Sequence, residues 1–222
     1  MNRRNLCLLA GIAAVFLGRF VYLFATAPVA ASRAVEPMHP EAEPLQQDLD
    51  LGITIPIPFD GGSVEATPKA AYRIAAKLCG RQRYRGDWTS QIAPYDFCLA
   101  WGRLAGDEAK GLIEYSQDMR WYHFQMKRGG PIDAAYAARH SANNHLILTD
   151  RDLRQAVARA PVGEIVELTG YLVNLRGKWK DRDVWWNTSL TRDDSGAGSC
   201  ELIYVKSLRV GDRVYGKPLH FD

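Results

Sequence analysis

The sequence predicts an α+β protein held on a membrane: one folded domain with short helices and a C-terminal antiparallel β-meander closing as a small barrel, an OB-like barrel being one candidate form. Three observations predict it. Residues 6–31 are an apolar run interrupted by one charge, Arg19. Seven of the eleven prolines (Pro28, Pro37, Pro40, Pro44, Pro56, Pro58 and Pro68) precede residue 69, in a stretch that is also acidic. From residue 69 the composition becomes globular, and over the last third apolar residues recur first at helical spacing and then alternately. The chain accordingly divides into a membrane anchor over 1–27, an acidic proline-rich tether over 28–68 and one α+β domain over 69–222.

The anchor rests on length. A helix from Leu6 to Thr26 spans about 30 Å, the thickness of the hydrocarbon core. Arg19 lies near its far end, where a guanidinium reaches the headgroups by snorkelling. The competing reading is a cleaved signal peptide with its apolar core at 6–18 and cleavage after Ala31. The long apolar stretch from Arg19 to Ala31 favours the uncleaved anchor. Arg3 and Arg4 hold the N-terminus in the cytoplasm, with Arg33 opposing them from the other flank. The expectation is a single-pass inner-membrane protein with a periplasmic domain.

Charge narrows the partners. Residues 1–31 hold three of the 28 basic side chains and no acid, so the remainder balances at 25 of each sign. Within it, Arg33 faces seven acids over 32–68, a net of −6, which leaves +6 for 69–222. That mild excess falls short of the footprint of a committed nucleic-acid binder, and none is expected as partner.

The tether cannot bury enough apolar surface to order itself, and proline stiffens it into a spacer. Inside it GITIPIPFDGG, 52–62, alternates Ile53, Ile55 and Ile57 with small or proline residues. That is an edge strand docking on the domain or a short linear motif, docking being favoured. YRIAAKLC, 72–79, reads equally as helix or strand, and RQRYRGDW after it as loop. APYDFCLAWGRL, 93–104, starts with a proline suited to a first helical turn and predicts a short helix. GDEAKGLIEY, 106–115, predicts a second. MRWYHFQM, 119–126, is rich in strand formers. After the GGP turn at 129–131 a short helix runs through IDAAYAA into ARHSANNHLILTD, 138–150, read as a polar joint.

TDRDLRQAVARA, 149–160, is a helix with Thr149 as N-cap and Leu153, Ala156, Val157 and Ala160 on its buried face. EIVELTGYLVNL then sets Val166, Leu168 and Leu172 on one face and Glu167, Thr169 and Tyr171 on the other, with Gly170 marking a bulge or bend. VWWNTSLT and CELIYVKSL alternate similarly and are joined by DDSGAGS, completing the meander.

The chemistry-bearing residues concentrate in the polar joint. His140 and His145 are five apart, about 140° round a helix and on opposite faces of a strand, so neither element lets both grip one ion. No metal or other cofactor is predicted. Ser141 with His145, or Cys200 with either histidine, would supply a nucleophile and a base. Against this, no GxSxG elbow is present, and Glu201 beside Cys200 works against a thiolate. The structural alternative has Asn143 and Asn144 making turns, Ser141 capping and the histidines bonding carbonyls, with Cys200 and Glu201 the first distant partners to test. Cys79 and Cys98 either pair in an oxidising compartment or stay separate buried thiols. Arg120, Trp121, Tyr122, Trp185 and Trp186 could stack bases or a glycan, although strand aromatics are more often core.

Four blocks carry a resemblance: PYDFCLAWGRL at 94–104, SQDMRWYHF at 116–124, HSANNHLI at 140–147 and WNTSLTRDDSGAGSCELIYV at 186–205. Over residues 84–207 the chain resembles a group of uncharacterised bacterial membrane-anchored proteins with similar HSANxHLI and SLxRxDxGxGxCEL blocks in the same order. Leu148 stands where those proteins tend to carry a proline. The resemblance implies export and the domain limits, and brings no activity with it. The expected function is a non-enzymatic binding or scaffold protein of an envelope assembly, with an envelope protein as partner. The alternatives are an envelope hydrolase using His140 or His145 with Ser141 or Cys200, and recognition of single-stranded nucleic acid or glycan by the arginine and aromatic surface.

Overall fold

The computed structural model describes residues 36–191 and 199–221. The anchor expected over 1–27 lies outside them, and among the described residues no helix is long and apolar enough to cross a membrane. The described chain is mostly strand, with few helices. In order it runs β1 (Leu45–Asp48), β2 (Ile55–Phe59), β3 (Gly62–Arg83), α1 (Trp88–Ile92), β4 (Tyr95–Ala100), β5 (Ile113–Asp118), β6 (Trp121–Met126), α2 (Ala134–Arg139), β7 (Ser141–Ile147), α3 (Arg151–Arg159), β8 (Ile165–Trp179), β9 (Arg182–Trp186), β10 (Glu201–Val210) and β11 (Arg213–Gly216).

The two longest strands organise the rest. β3 and β8 pair antiparallel from Gly62 opposite Trp179 to Lys77 opposite Ile165. Tyr72, Ile74, Ala76 and Leu78 of β3 and Val166, Leu168 and Leu172 of β8 recur at the two-residue period that puts them all on one face. Beyond β3 the pairing continues through β4 and β7, both antiparallel, then β10, parallel to β7, and back to β8. Five strands thus close a circuit. Trp101, Tyr72, Phe97, Leu99 and Leu146 are fully buried within it, and each such side chain contributes roughly 1.5–3 kcal/mol by leaving water.

The helix after β7 adds Leu153, Ala156 and Val157 to this core. Its N-cap is Asp150, which accepts the Leu153 N–H at 2.8 Å; the expected cap, Thr149, instead turns its hydroxyl to that of Tyr204. Gly170 is required by close approach, since a Cβ there would lie 2.3 Å from the Tyr204 carbonyl oxygen. The bulge itself is on the facing strand, between Val205 and Ser207.

The N-terminal segment departs from the expected tether, apart from the docking strand expected within 52–62, which is β2. β2 forms a hairpin with the start of β3, Ile57 opposite Val64, and Pro56 and Pro58 are tolerated because β2 pairs on one side only. Ile57, Val64, Ala66, Val173 and Leu175 make a second cluster against Ile92, Ile147 and Leu202. β1 pairs with β3 from Leu45 opposite Arg73 to Asp48 opposite Ala70. Ahead of it, Met38 N–H donates to Glu167 at 2.8 Å and Pro40 carbonyl accepts from Gly102 N–H at 2.9 Å. Sheet therefore begins well ahead of residue 69, and the docked chain at Glu36, whose carbonyl accepts from Arg73. Prolines at strand edges look, in composition, like prolines in a spacer.

Other expectations are corrected. The helix expected over 93–104 is the strand β4, buried at all six positions; a strand covered on both faces loses its alternation and reads like a helix. The helix expected over 106–115 is a short 3₁₀ turn, Asp107–Ala109, followed by β5. The polar joint is likewise a strand, β7, buried throughout. The meander is interrupted: β8–β9 and β10–β11 are hairpins, but β10 lies between β8 and β7 rather than beside β9. Most of DDSGAGS, expected as the turn between them, falls outside the described residues. Cys79 and Cys98 form no disulfide. Cys79 falls in a β3 bulge, so Gly80 stands opposite Cys98, and burial pushes the Cys79 thiol up to about 12 against a small opposing pull from Lys77.

Candidate functional site

The circuit has an outer face, and β4 and β7 place polar side chains on it. Tyr95, Phe97, Leu99, Ala142 and Leu146 point inward, so Asp96, Asn143 and His145 point outward. Asp96 and His145 are cross-strand partners. The outer face is closed off by the β5–β6 hairpin, whose two-residue turn, Met119–Arg120, has positive φ at both positions, 41° and 71°. Hairpin turns of this hand favour Asn-Gly, so Met and Arg are strained there. The turn aims Arg120 at the buried carboxylate.

Asp96 is completely buried, and its charge is compensated by Arg120, whose NH1 lies 2.8 Å from Oδ1. The guanidinium also donates to the Ala93 carbonyl at 2.9 Å and to Thr89 Oγ1 at 3.1 Å, and sits 4.0 Å from the centre of the Tyr84 ring. Asn143 Nδ2 donates to Asp96 Oδ2 at 3.1 Å and to the Arg120 carbonyl at 2.9 Å, while its Oδ1 accepts from Gln117 at 2.7 Å. His145 Nδ1 lies 2.9 Å from Asp96 Oδ1, but off the line of a hydrogen bond. Charges survive this burial only when the carboxylate is paired and hydrogen-bonded, as it is here by Arg120 and Asn143. Burial raises the Tyr84 hydroxyl above its ordinary value, and Asp96 adds to this.

Above the network lies a cleft of about 340 Å³. Trp88 and Thr89 enter from α1, Arg120 and Trp121 from the hairpin, His145 from β7, and Trp185, Trp186 and Asn187 from β9 and the chain after it. Cys200 completes the lining. Trp88 and Trp186 are half-buried and meet edge to face at 6.3 Å, and His145 packs 4.7 Å from Trp186. Trp121 and Trp185 are exposed, at 42% and 66%. At the cleft's edge Asp87 caps α1. Burial alone would raise its carboxyl, but hydrogen bonds from Ser90 and Thr89 hold it below its ordinary value.

Of the residues singled out in the sequence, Arg120, Trp121, Trp185, Trp186, His145 and Cys200 therefore share one cleft. The others are elsewhere. His140 ends α2, stacked on Tyr136 at 3.7 Å, with Nε2 3.0 Å from Glu43. Ser141 donates to the Ala137 carbonyl at 2.7 Å, and Tyr122 donates to the Ser141 carbonyl at 2.9 Å. Ser141, Tyr122 and Glu201 line a separate crevice of about 50 Å³. Ser141 and His145 lie four residues apart on one strand, about 13 Å, beyond proton-transfer reach. Neither Ser141 nor His140 is joined to the cleft. Among the described residues no group of three His, Cys, Asp or Glu is placed to hold a metal ion.

The sequence reading missed Asp96, Tyr84, Trp88 and Asn187. For Asp96 a signal existed: it is the charged residue inside the apolar run YDFCLA, and a charge in a buried strand needs a partner. Comparison with protein-family models, with curated proteins and with solved structures finds no match for this chain.

Proposed function

We propose that this chain is an exported, single-pass membrane-anchored binding module, non-enzymatic, whose domain is an OB-like barrel and whose ligand site is the tryptophan cleft. The observation that carries the reading is the convergence of Arg120, Trp121, Trp185 and Trp186, distant in sequence, on one concave surface. The barrel assignment is supported by strand order. Counting β3, β4, β7, β8 and β10 as first to fifth, the circuit runs first, second, third, fifth, fourth, with third and fifth parallel and a helix between third and fourth. OB barrels take oligomeric ligands on the second and third strands, between the loops after the first and the fourth. The cleft occupies that position.

The partner is the envelope itself. Full-length protein in detergent is expected to co-sediment saturably with washed envelope fragments. Replacing Trp121 and Trp185 together with alanine should abolish this while leaving the unfolding midpoint unchanged, because both rings are exposed. Equal co-sedimentation of the double variant overturns the reading.

One observation favours a second reading, a thiol hydrolase: His145, with Asp96 at its Nδ1, lines the same cleft as Cys200. An imidazole-activated Cys200 would alkylate with iodoacetamide at pH 6 at a rate that falls about tenfold in His145→Ala. Unchanged alkylation removes this reading.

A further inference from the structure

We propose that the cleft takes an uncharged oligosaccharide, bound by pyranose rings stacked on Trp185 and Trp121. This rests on the reading of the cleft as the binding site. OB-type surfaces and exposed tryptophans serve two ligand classes, single-stranded nucleic acid and glycan. Both need aromatic faces. They differ in charge: a nucleic-acid strand carries a phosphate per nucleotide and needs cations along its path.

Among the described residues one cation lines the cleft, and a second, Arg176, stands beside Asn187 with its NH1 held by that amide oxygen and the Leu175 carbonyl. The lining guanidinium, Arg120, is only 17% exposed and is committed to Asp96, the Ala93 carbonyl and Thr89. Arg120 and Asp96 cancel each other beneath the surface. At the cleft's edge stands Asp87, held ionised by its capping bonds, and this repels a phosphate. Beside that one carboxylate the cleft presents indole rings and a neutral amide. Asn187 Oδ1 accepts from Arg176 at 2.7 Å, which fixes the amide and leaves Nδ2 to donate to a hydroxyl. The Asp87 carboxylate accepts hydroxyl protons, and the indole N–H groups of exposed Trp121 and Trp185 donate.

The aromatic arrangement fits the same ligand. Trp88 and Trp186 are half-buried and held by Phe59, His145 and each other, so they are fixed walls. Trp185 and Trp121 come from two hairpins, each closed by a two-residue turn with positive φ at both positions. Such turns leave few alternative conformations, so the stacking faces are presented with little ordering cost on binding. A cleft of about 340 Å³ is at the small end of ligand sites, which suits a few sugar rings and not a long chain.

The test titrates full-length protein in a polyoxyethylene detergent, free of sugar headgroups, with chitotetraose, cellotetraose, maltotetraose and a twelve-residue oligothymidylate, reading tryptophan fluorescence. At least one tetrasaccharide is expected to saturate, with a midpoint that moves less than about twofold between 50 and 500 mM salt because no counterions are released. Trp185→Ala should weaken it by about tenfold or more, a stacked ring's ordinary contribution, and Trp185→Phe should restore part of the loss. Saturation by the oligothymidylate alone, steeply salt-dependent, overturns the proposal, as does the absence of saturation by any tetrasaccharide. Envelope co-sedimentation that still depends on Trp121 and Trp185 would then leave the binding module standing and remove only its saccharide ligand.

Discussion

His140 and His145 are five residues apart, and both stand about 3 Å from a carboxylate, yet they sit in opposite kinds of surroundings. His145 and its partner Asp96 are 4% and 0% exposed, and Asp96 is locked in a network with Arg120 and Asn143. His140 and its partner Glu43 are 17% and 67% exposed, at the place where the N-terminal segment crosses the strand circuit. The difference teaches that proximity to an acid says little by itself. Burial decides whether the pair is a keystone or a clasp, because the cost of an unmatched charge rises steeply once water is excluded.

The largest predicted effect breaks the buried side. Asp96→Ala leaves the Arg120 guanidinium with carbonyl and hydroxyl partners and without the carboxylate it bonds, and Arg120→Ala leaves Asp96 buried without its strongest donor. Each is expected to lower unfolding free energy by about 3–5 kcal/mol, measured by urea titration. The double replacement Asp96→Leu with Arg120→Met should lose less than either single variant, since it removes both charges together. A double variant that loses the sum of the two would mean the sites act independently, contrary to the geometry.

A smaller effect, of opposite sign, concerns how Arg120 is delivered. Met119 is 79% exposed and has φ 41°, so its side chain contributes little packing and its backbone is strained. Met119→Asn is expected to stabilise by about 0.5–1 kcal/mol, the difference between a residue that tolerates this turn and one that does not. The melting temperature should rise, with Arg120 still at Asp96 as judged by an unchanged alkaline titration of Tyr84, whose hydroxyl responds to both charges. A fall in melting temperature would show that the turn is held by something other than its backbone preference.

How much of this could be read beforehand follows the same divide. α3 and β6 were legible because each has one wet face and one dry one, and β8 because its apolar residues still alternate with Glu167 and Thr169 in the sequence although both its faces are covered over 166–170. β4 and β7 were not, because both faces are covered: YDFCLA lost its period, and SANNHLI looked like a loop because its polar residues serve partners far away. Asn143, for example, bonds Asp96, 47 residues earlier. The cleft was half legible. Its aromatic residues and Arg120 were named from composition, but nothing local says that β9 and the β5–β6 hairpin meet across β7, since that depends on β10 inserting between β8 and β7. Of the N-terminal strands, β2 was legible as a docking edge strand because its isoleucines alternate with residues an edge tolerates; β1, LQQD, is exposed at all four positions and has no such alternation, so it read as part of the spacer.

The smallest predicted effect tests the exposed side. Glu43 accepts from the Trp101 indole at 3.1 Å and from His140 Nε2 at 3.0 Å, while His140 Nδ1 faces the Tyr136 carbonyl at 3.0 Å. Both ring nitrogens face acceptors, and only the imidazolium donates from both, so in the neutral ring one of the two contacts is lost. Glu43→Gln removes the charge but keeps an acceptor for Trp101. With Glu43 two-thirds exposed, screening limits the global loss to about 0–1 kcal/mol. The informative readout is local. Hydrogen exchange should speed at Met38 and Gly102, whose amides are bonded to Glu167 and to the Pro40 carbonyl across the same crossing, with no change at Leu146 in β7. Faster exchange in β7 as well would mean that the clasp is part of the core, and the contrast between the two histidines would fall.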